Sequence, residues 1–177
     1  MPADSMGHMA GASSGSDEVM PHSGSGAMLV GAVDHVRNGF DPMNMLVDWD
    51  YGEIAGETAD GRAIRQYSIS AGDIEIEIAP GLFFPAWAYN ARVPGPSIRC
   101  NEQDHLRIEF ANYSAHPHTM HFHGFHRAEM DGVEGEDRGA IEPGGSFTYE
   151  FDADPFGCHL YHCHAFPLKR HIHKGMY

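Results

Sequence analysis

Residues able to bind a transition metal crowd into two stretches of this chain. One is His118-Thr119-Met120-His121-Phe122-His123-Gly124; the other is His162-Cys163-His164, with His171 and Met176 close behind. A thiolate, two imidazoles and a thioether form a blue copper electron-transfer set, and four further imidazoles suit a second site that binds oxygen or hydroxide. The pairing points to an oxidase. Fourteen histidines make some clustering expected by chance. Eight ligand-type residues in two blocks of matched spacing go beyond that. Zinc also takes His and Cys, but structural zinc sites favour paired cysteines, and the isolated thiol and the Met argue for copper.

Strand geometry sorts these ligands, because successive side chains on a strand point to opposite faces. In His162-Cys163-His164 the thiol must face away from both imidazoles. The same count puts His121 and His123 on one face of their strand and His118 on the other. His118 can therefore join Cys163, while His121, His123, His162 and His164 gather behind them. Pro167 is placed to open a short helix or turn that folds His171 and Met176 back over the sulfur.

The elements that must hold these residues read as an antiparallel sandwich from about Arg65 onward, with short alternating runs between Gly and Pro breaks. Ile74, Ile76 and Ile78 alternate with Glu75 and Glu77, which predicts a strand with one buried face. Leu106, Ile108 and Phe110 repeat the pattern, as do Phe147, Tyr149 and Phe151, ahead of a ligand strand over 160–164. No long helical period competes. The fold class is all-β, a Greek-key β-sandwich.

Further segments carry a family likeness. Ala91-Arg92-Val93-Pro94-Gly95-Pro96-Ser97-Ile98-Arg99, His121-Phe122-His123-Gly124, Glu142-Pro143-Gly144-Gly145-Ser146-Phe147-Thr148-Tyr149-Glu150-Phe151 and Tyr161-His162-Cys163-His164 together resemble the cupredoxin domains of laccase-like multicopper oxidases. The resemblance implies type 1 copper on His118, Cys163, His171 and Met176, type 2 copper on His121, and the binuclear type 3 pair on His123, His162 and His164. It also implies that single electrons pass from a reducing substrate through the type 1 site to a trinuclear site, where oxygen becomes water. Copper nitrite reductases are the related alternative. They carry an aspartate where this chain has His121 and a small residue where it has His164, and both differences favour the oxygen site. The Cys163 to His171 loop is instead longer than is usual in laccase-like domains and closer to the nitrite reductase length. A non-catalytic blue copper carrier is the third reading.

Asp131 stands where similar oxidases keep an acid near the cluster, placed to pass protons to reduced oxygen. Its other reading is a turn residue ahead of Gly132. The family's second acid has no counterpart, since Ala165 and Phe166 occupy that place. In the family the trinuclear site takes histidines from two domains. This chain has no internal repeat and supplies only His121, His123, His162 and His164. A homo-oligomer is therefore expected, a dimer or a trimer-based ring.

Residues 1–60 read as a flexible leader and packing segment, and 61–177 as the cupredoxin domain. The first 28 residues are rich in Gly, Ser, Met and His without apolar periodicity. Met1, Met6, His8, Met9, Met20, His22 and Met28 could scavenge copper, though a plain flexible leader explains them more simply. Apolar groups over 40–51 are expected to pack on the domain or on a neighbour. A formal net charge of −14 argues against nucleic acid as a partner. It suits a small reducing substrate, whether phenol, amine or metal ion. No signal peptide is visible, and the apolar run over 28–33 is too short to span a membrane. A copper oxidase is nevertheless expected in the periplasm or outside the cell. Cys100 and Cys158 either pair or sit as small buried residues. A chain ending just after Met176 is expected to lack the last strand of the sandwich and to hold that Met poorly, unless another segment fills the gap.

Overall fold

The computed structural model describes residues 31–124, 127–133 and 139–177. In chain order the strands are β1 (Trp49–Asp50), β2 (Glu53–Glu57), β3 (Ala63–Ala79), β4 (Leu82–Tyr89), β5 (Ser97–Ile98), β6 (His105–Asn112), β7 (His121–Phe122), β8 (Ser146–Asp152) and β9 (Tyr161–His162). Two short helices, α1 (His35–Asn38) and α2 (Leu168–Lys174), flank them. The fold is the expected all-β, cupredoxin-like one.

β3 is the spine. Its first half pairs in parallel with β6, and its second half pairs antiparallel with β4. β8 then closes against β6 in antiparallel register. Alternation builds the core directly: Tyr67 and Ile69 lie beside Ile108 and Phe110, and Ile108 and Leu106 lie beside Tyr149 and Phe151, all buried. Met120, Phe122, Cys163 and Met176 complete the same apolar cluster. The ligand-bearing strands are thus seated on the core.

The alternation over 74–78 does not run as predicted. Ile76 is buried, but Ile78 is exposed and Glu77 is buried instead. A register shift between Glu77 and Ala79 rotates the end of β3 before the turn into β4. Backbone N–H groups of Gly81 and Asp34 then satisfy the Glu77 carboxylate at 2.5 and 2.6 Å and hold it below the usual carboxylate range. Hydrogen bonds thus outweigh the local pattern.

The segment over 40–51 packs only in part: Trp49 is half-buried, whereas Met43, Met45, Leu46, Val47 and Tyr51 are exposed. β1 pairs with β5, the Arg99 guanidinium lies over the Trp49 ring, and Asp48 bonds Arg92 at 2.7 Å. β2 adds a strand to β3. The leader and its Met and His residues lie outside the described residues. Cys100 and Cys158 are not paired; Cys100 is half-buried and Cys158 exposed.

Candidate metal centre

β7 and β9 bring the two ligand stretches together, with His121 directly opposite His162 in antiparallel register. Burial alternates along the second stretch as the strand period requires: Cys163 and Ala165 are buried, while His162 and His164 are half-exposed. On the buried side, His118, Cys163 and His171 place ligand atoms within 4.8 Å of one another. The Nδ1 atoms of His118 and His171 are 3.1 Å apart, and Cys163 Sγ lies 3.2 Å from His171 Nδ1 and 3.7 Å from His118 Nδ1.

Each ligand is fixed by the chain around it. His118 is locked to Ile141 by a reciprocal backbone pair at 3.0 and 2.9 Å, and the Asn112 amide donates to the His116 and Ile141 carbonyls beside it. Met120 N–H donates to the buried Tyr149 hydroxyl. Thr119 serves both stretches: its N–H points at Cys163 Sγ at 3.4 Å, and its hydroxyl accepts from His164 N–H at 2.9 Å.

α2 follows Pro167 as predicted and buries His171. Gly175 ends it at φ +115°, where a Cβ would lie 2.8 Å from Val93 Cγ2 and 2.9 Å from the Trp87 carbonyl. Only glycine suits both the dihedral and the space. This close turn returns the chain so that Cys163 N–H donates to the Met176 carbonyl at 3.0 Å. Met176 is fully buried rather than poorly held.

Burial drives the electrostatics. His118 is pushed down to about 3, first by burial and then by its neighbour His171, so its ring is neutral. Burial raises the Cys163 thiol. Two buried imidazoles and a buried thiol whose ligand atoms converge fit copper, whose binding would draw off the thiol proton.

On the other side, His121, His123 and His162 form a second convergent set, also within 4.8 Å. His121 Nδ1 faces two acceptors of Asp131, the carbonyl at 2.8 Å and the carboxylate at 3.1 Å, which favours the tautomer with the proton on Nδ1 and the lone pair on Nε2. His162 Nδ1 likewise donates to the Cys163 carbonyl at 3.0 Å, and its Nε2 lies 2.9 Å from His123 Nε2. Burial lowers both His121 and His162. The His164 ring lies 5.1 Å from that of His121, as near as the His162 ring at 5.2 Å, but His164 falls outside the tight set of converging ligand atoms. Asp131 holds His121 and also ends a 3-10 turn before Gly132, the position expected of a turn residue.

Trp87 was not singled out from sequence. Its buried ring packs on His171 at 4.9 Å and His118 at 5.3 Å, bracketing the buried set. Its alternation with Tyr89 along β4 was the available signal.

A family model described as multicopper oxidase matches residues 70–177. The chain belongs to the multicopper oxidase family. It is similar to a crystal structure of a multicopper oxidase, with a TM-score of 0.78 and 54% identity, over 82% of this chain and 50% of that one. Among curated relatives, laccase abr2 of Aspergillus fumigatus is 38% identical over 91 residues, covering 50% of this chain and 15% of the relative. A copper-containing nitrite reductase of Neisseria meningitidis is 34% identical over 103 residues, covering 55% and 25%. The multicopper oxidase chain described here therefore spans a quarter or less of these two relatives. No helix among its described residues is long and apolar enough to cross a membrane.

Proposed function

We propose that this chain carries a type 1 copper site on His118, Cys163, His171 and Met176, and contributes His121, His123, His162 and His164 to a trinuclear copper site. The assembled protein would oxidise a small reducing substrate and reduce oxygen to water. The observation that carries this reading is the placement of two convergent ligand sets on opposite sides of one strand pair, joined through the single residue Cys163. Copper, when bound, supplies reversible one-electron chemistry.

The chain's own residues do the rest. Thr119 N–H points at the thiolate position, and Trp87 shields two ligands from water. Asp131 fixes the His121 tautomer and is the carboxylate placed to hand a proton toward the second set. Because the chain supplies half of a two-domain ligand count, a second copy is proposed to complete the second set across a two-fold or ring interface. The substrate class is a phenol, an amine or a metal ion, and the compartment the periplasm or the cell exterior.

Copper-loaded protein should absorb strongly in the visible and consume oxygen with a phenol. Cys163→Ser should remove both colour and turnover; retained laccase-type turnover would refute the assignment. An isologous dimer predicts about two and a half coppers per chain. One copper per chain would point to a simple carrier. A nitrite reductase reading draws on the Neisseria meningitidis relative. Nitric oxide from nitrite without oxygen uptake would decide for it.

A further inference from the structure

A neutral imidazole has one N–H and one lone pair, so a ring that gives its lone pair to a metal keeps the proton on its other nitrogen. Metal-binding histidines almost always donate that second N–H to a carboxylate, a carbonyl or water. His121 and His162 follow the rule, with Nδ1 facing oxygens at Asp131 and at the Cys163 carbonyl. His118 breaks it. Its Nδ1 is the atom that approaches His171 Nδ1 and Cys163 Sγ, while its Nε2 is buried with no hydrogen-bond partner among the described residues.

What the His118 ring meets instead is aromatic. The His171 ring lies at 5.0 Å on the Nδ1 side, since the two Nδ1 atoms are 3.1 Å apart. The Trp87 ring lies at 5.3 Å, inclined at 70° to that of His118 in an edge-to-face arrangement. An aromatic face accepts an N–H only weakly. This one is further occupied by cations, with the Arg170 guanidinium 5.0 Å and Lys174 Nζ 5.6 Å from the ring centroid. Both draw on the same π density that an N–H would use. An oxygen acceptor makes the ligating nitrogen more basic; an N–H held only by a ring leaves it less so.

We propose that Trp87 sets the reduction potential of the buried site by receiving the His118 Nε2–H on its ring in place of an oxygen acceptor. This rests on the reading of His118 as a type 1 ligand. Cupric copper carries the larger charge and gains more from a basic imidazole than cuprous copper does. A weakly basic His118 therefore favours the reduced ion and raises the potential, which lets the site draw electrons from weak reductants. Trp87 acts through His118 and is a positioning residue.

NMR of the cuprous-loaded protein, which is diamagnetic, reads the contact directly. The His118 Nε2–H should lie upfield, displaced by the indole ring current, and should move downfield in Trp87→Leu. A wild-type signal at the downfield position of an N–H bonded to oxygen overturns the proposal, whether or not any variant folds. Redox titration of the visible band reads the consequence. Trp87→Gln, whose amide oxygen can accept the N–H, should lower the ratio of cuprous to cupric affinity about tenfold, and Trp87→Phe, which keeps a ring, by less than about threefold. Equal falls in the two variants, or no fall in Trp87→Gln, would show that Trp87 only fills space and overturn the proposal. Failure of the type 1 reading would show separately, as cupric-loaded wild-type protein with no visible band.

Discussion

Acid should destabilise the metal-free protein through His118. Its ring is fully buried, its Nε2 has no hydrogen-bond partner among the described residues, and its Nδ1 faces His171 at 3.1 Å. Burial, then His171, lowers it to about 3 from an ordinary value of 6.5. The folded chain thus keeps this imidazole neutral down to about pH 3, while the unfolded chain protonates it below about 6.5. Between those limits the unfolded state binds more protons, so stability rises with pH and is lost as pH falls through the window. At pH 4.5 the unfolded side gains about two pH units of protonation, on the order of 2.7 kcal/mol. That is a large share of the roughly 5–15 kcal/mol that stabilises a domain. Urea unfolding in chelator, followed by tryptophan fluorescence between pH 7.5 and 4.5, measures it, since Trp87 packs against the site. His118→Gln cannot titrate and should flatten the slope by about one proton. His121 and His162, also lowered, contribute equally to both proteins and cancel. Equal slopes in the two proteins would falsify the burial argument.

Three smaller changes test the frame around the site. Tyr149→Phe removes the acceptor of Met120 N–H, leaving a buried donor unmet, and should cost about 1–3 kcal/mol in urea unfolding. Gly175→Ala must fit a Cβ 2.8 Å from Val93 Cγ2 at φ +115°; it should cost about 1–3 kcal/mol and disturb Met176, seen as a lower melting temperature and a shifted visible band on copper loading. Asp152 is lowered chiefly by its contact with His105 and then by Arg62. Its contribution is therefore present above the ordinary carboxylate range and disappears as pH falls through the lowered value. Because the carboxylate is half-exposed, Asp152→Asn should cost no more than about 1 kcal/mol at pH 7 and nothing near pH 2, measured by thermal unfolding.

The division of ligands was legible because it depends only on the period of a strand. His162, Cys163 and His164 had to alternate, and His118 had to oppose His121 and His123, whatever the rest of the fold did. The core of β6 and β8 was readable for the same reason. β3 was harder, because one seventeen-residue strand serves two partners and its register shift turns Glu77 inward where hydrogen bonds await it. Backbone amides from Asp34 and Gly81 leave no periodic trace near Glu77. The site's supporting residues were illegible by the same logic: Trp87 lies some thirty residues before His118 in sequence, and only the β3 to β4 pairing carries it to the site. His164 shows the limit of the rule, since alternation gives the side it faces but not whether its nitrogens converge with those of His121, His123 and His162.

The two ligand sets differ in how complete each is within the chain. The set around Cys163 is enclosed, with His118, Cys163, His171 and Met176 all buried. The set around His121 opens outward: His121 and His162 are half-buried, and His123 is exposed although its Nε2 lies 2.9 Å from another imidazole. An imidazole pair held this close at a surface gains little in water, where each nitrogen could bond solvent instead. The metal and the second copy proposed above would make the arrangement favourable, the one by taking both lone pairs and the other by excluding the water. Asp131 and the Cys163 carbonyl already commit the Nδ1 protons of His121 and His162, leaving their Nε2 atoms to converge. One side of the strand pair is thus enclosed, and the other opens to solvent with its Nε2 atoms converging.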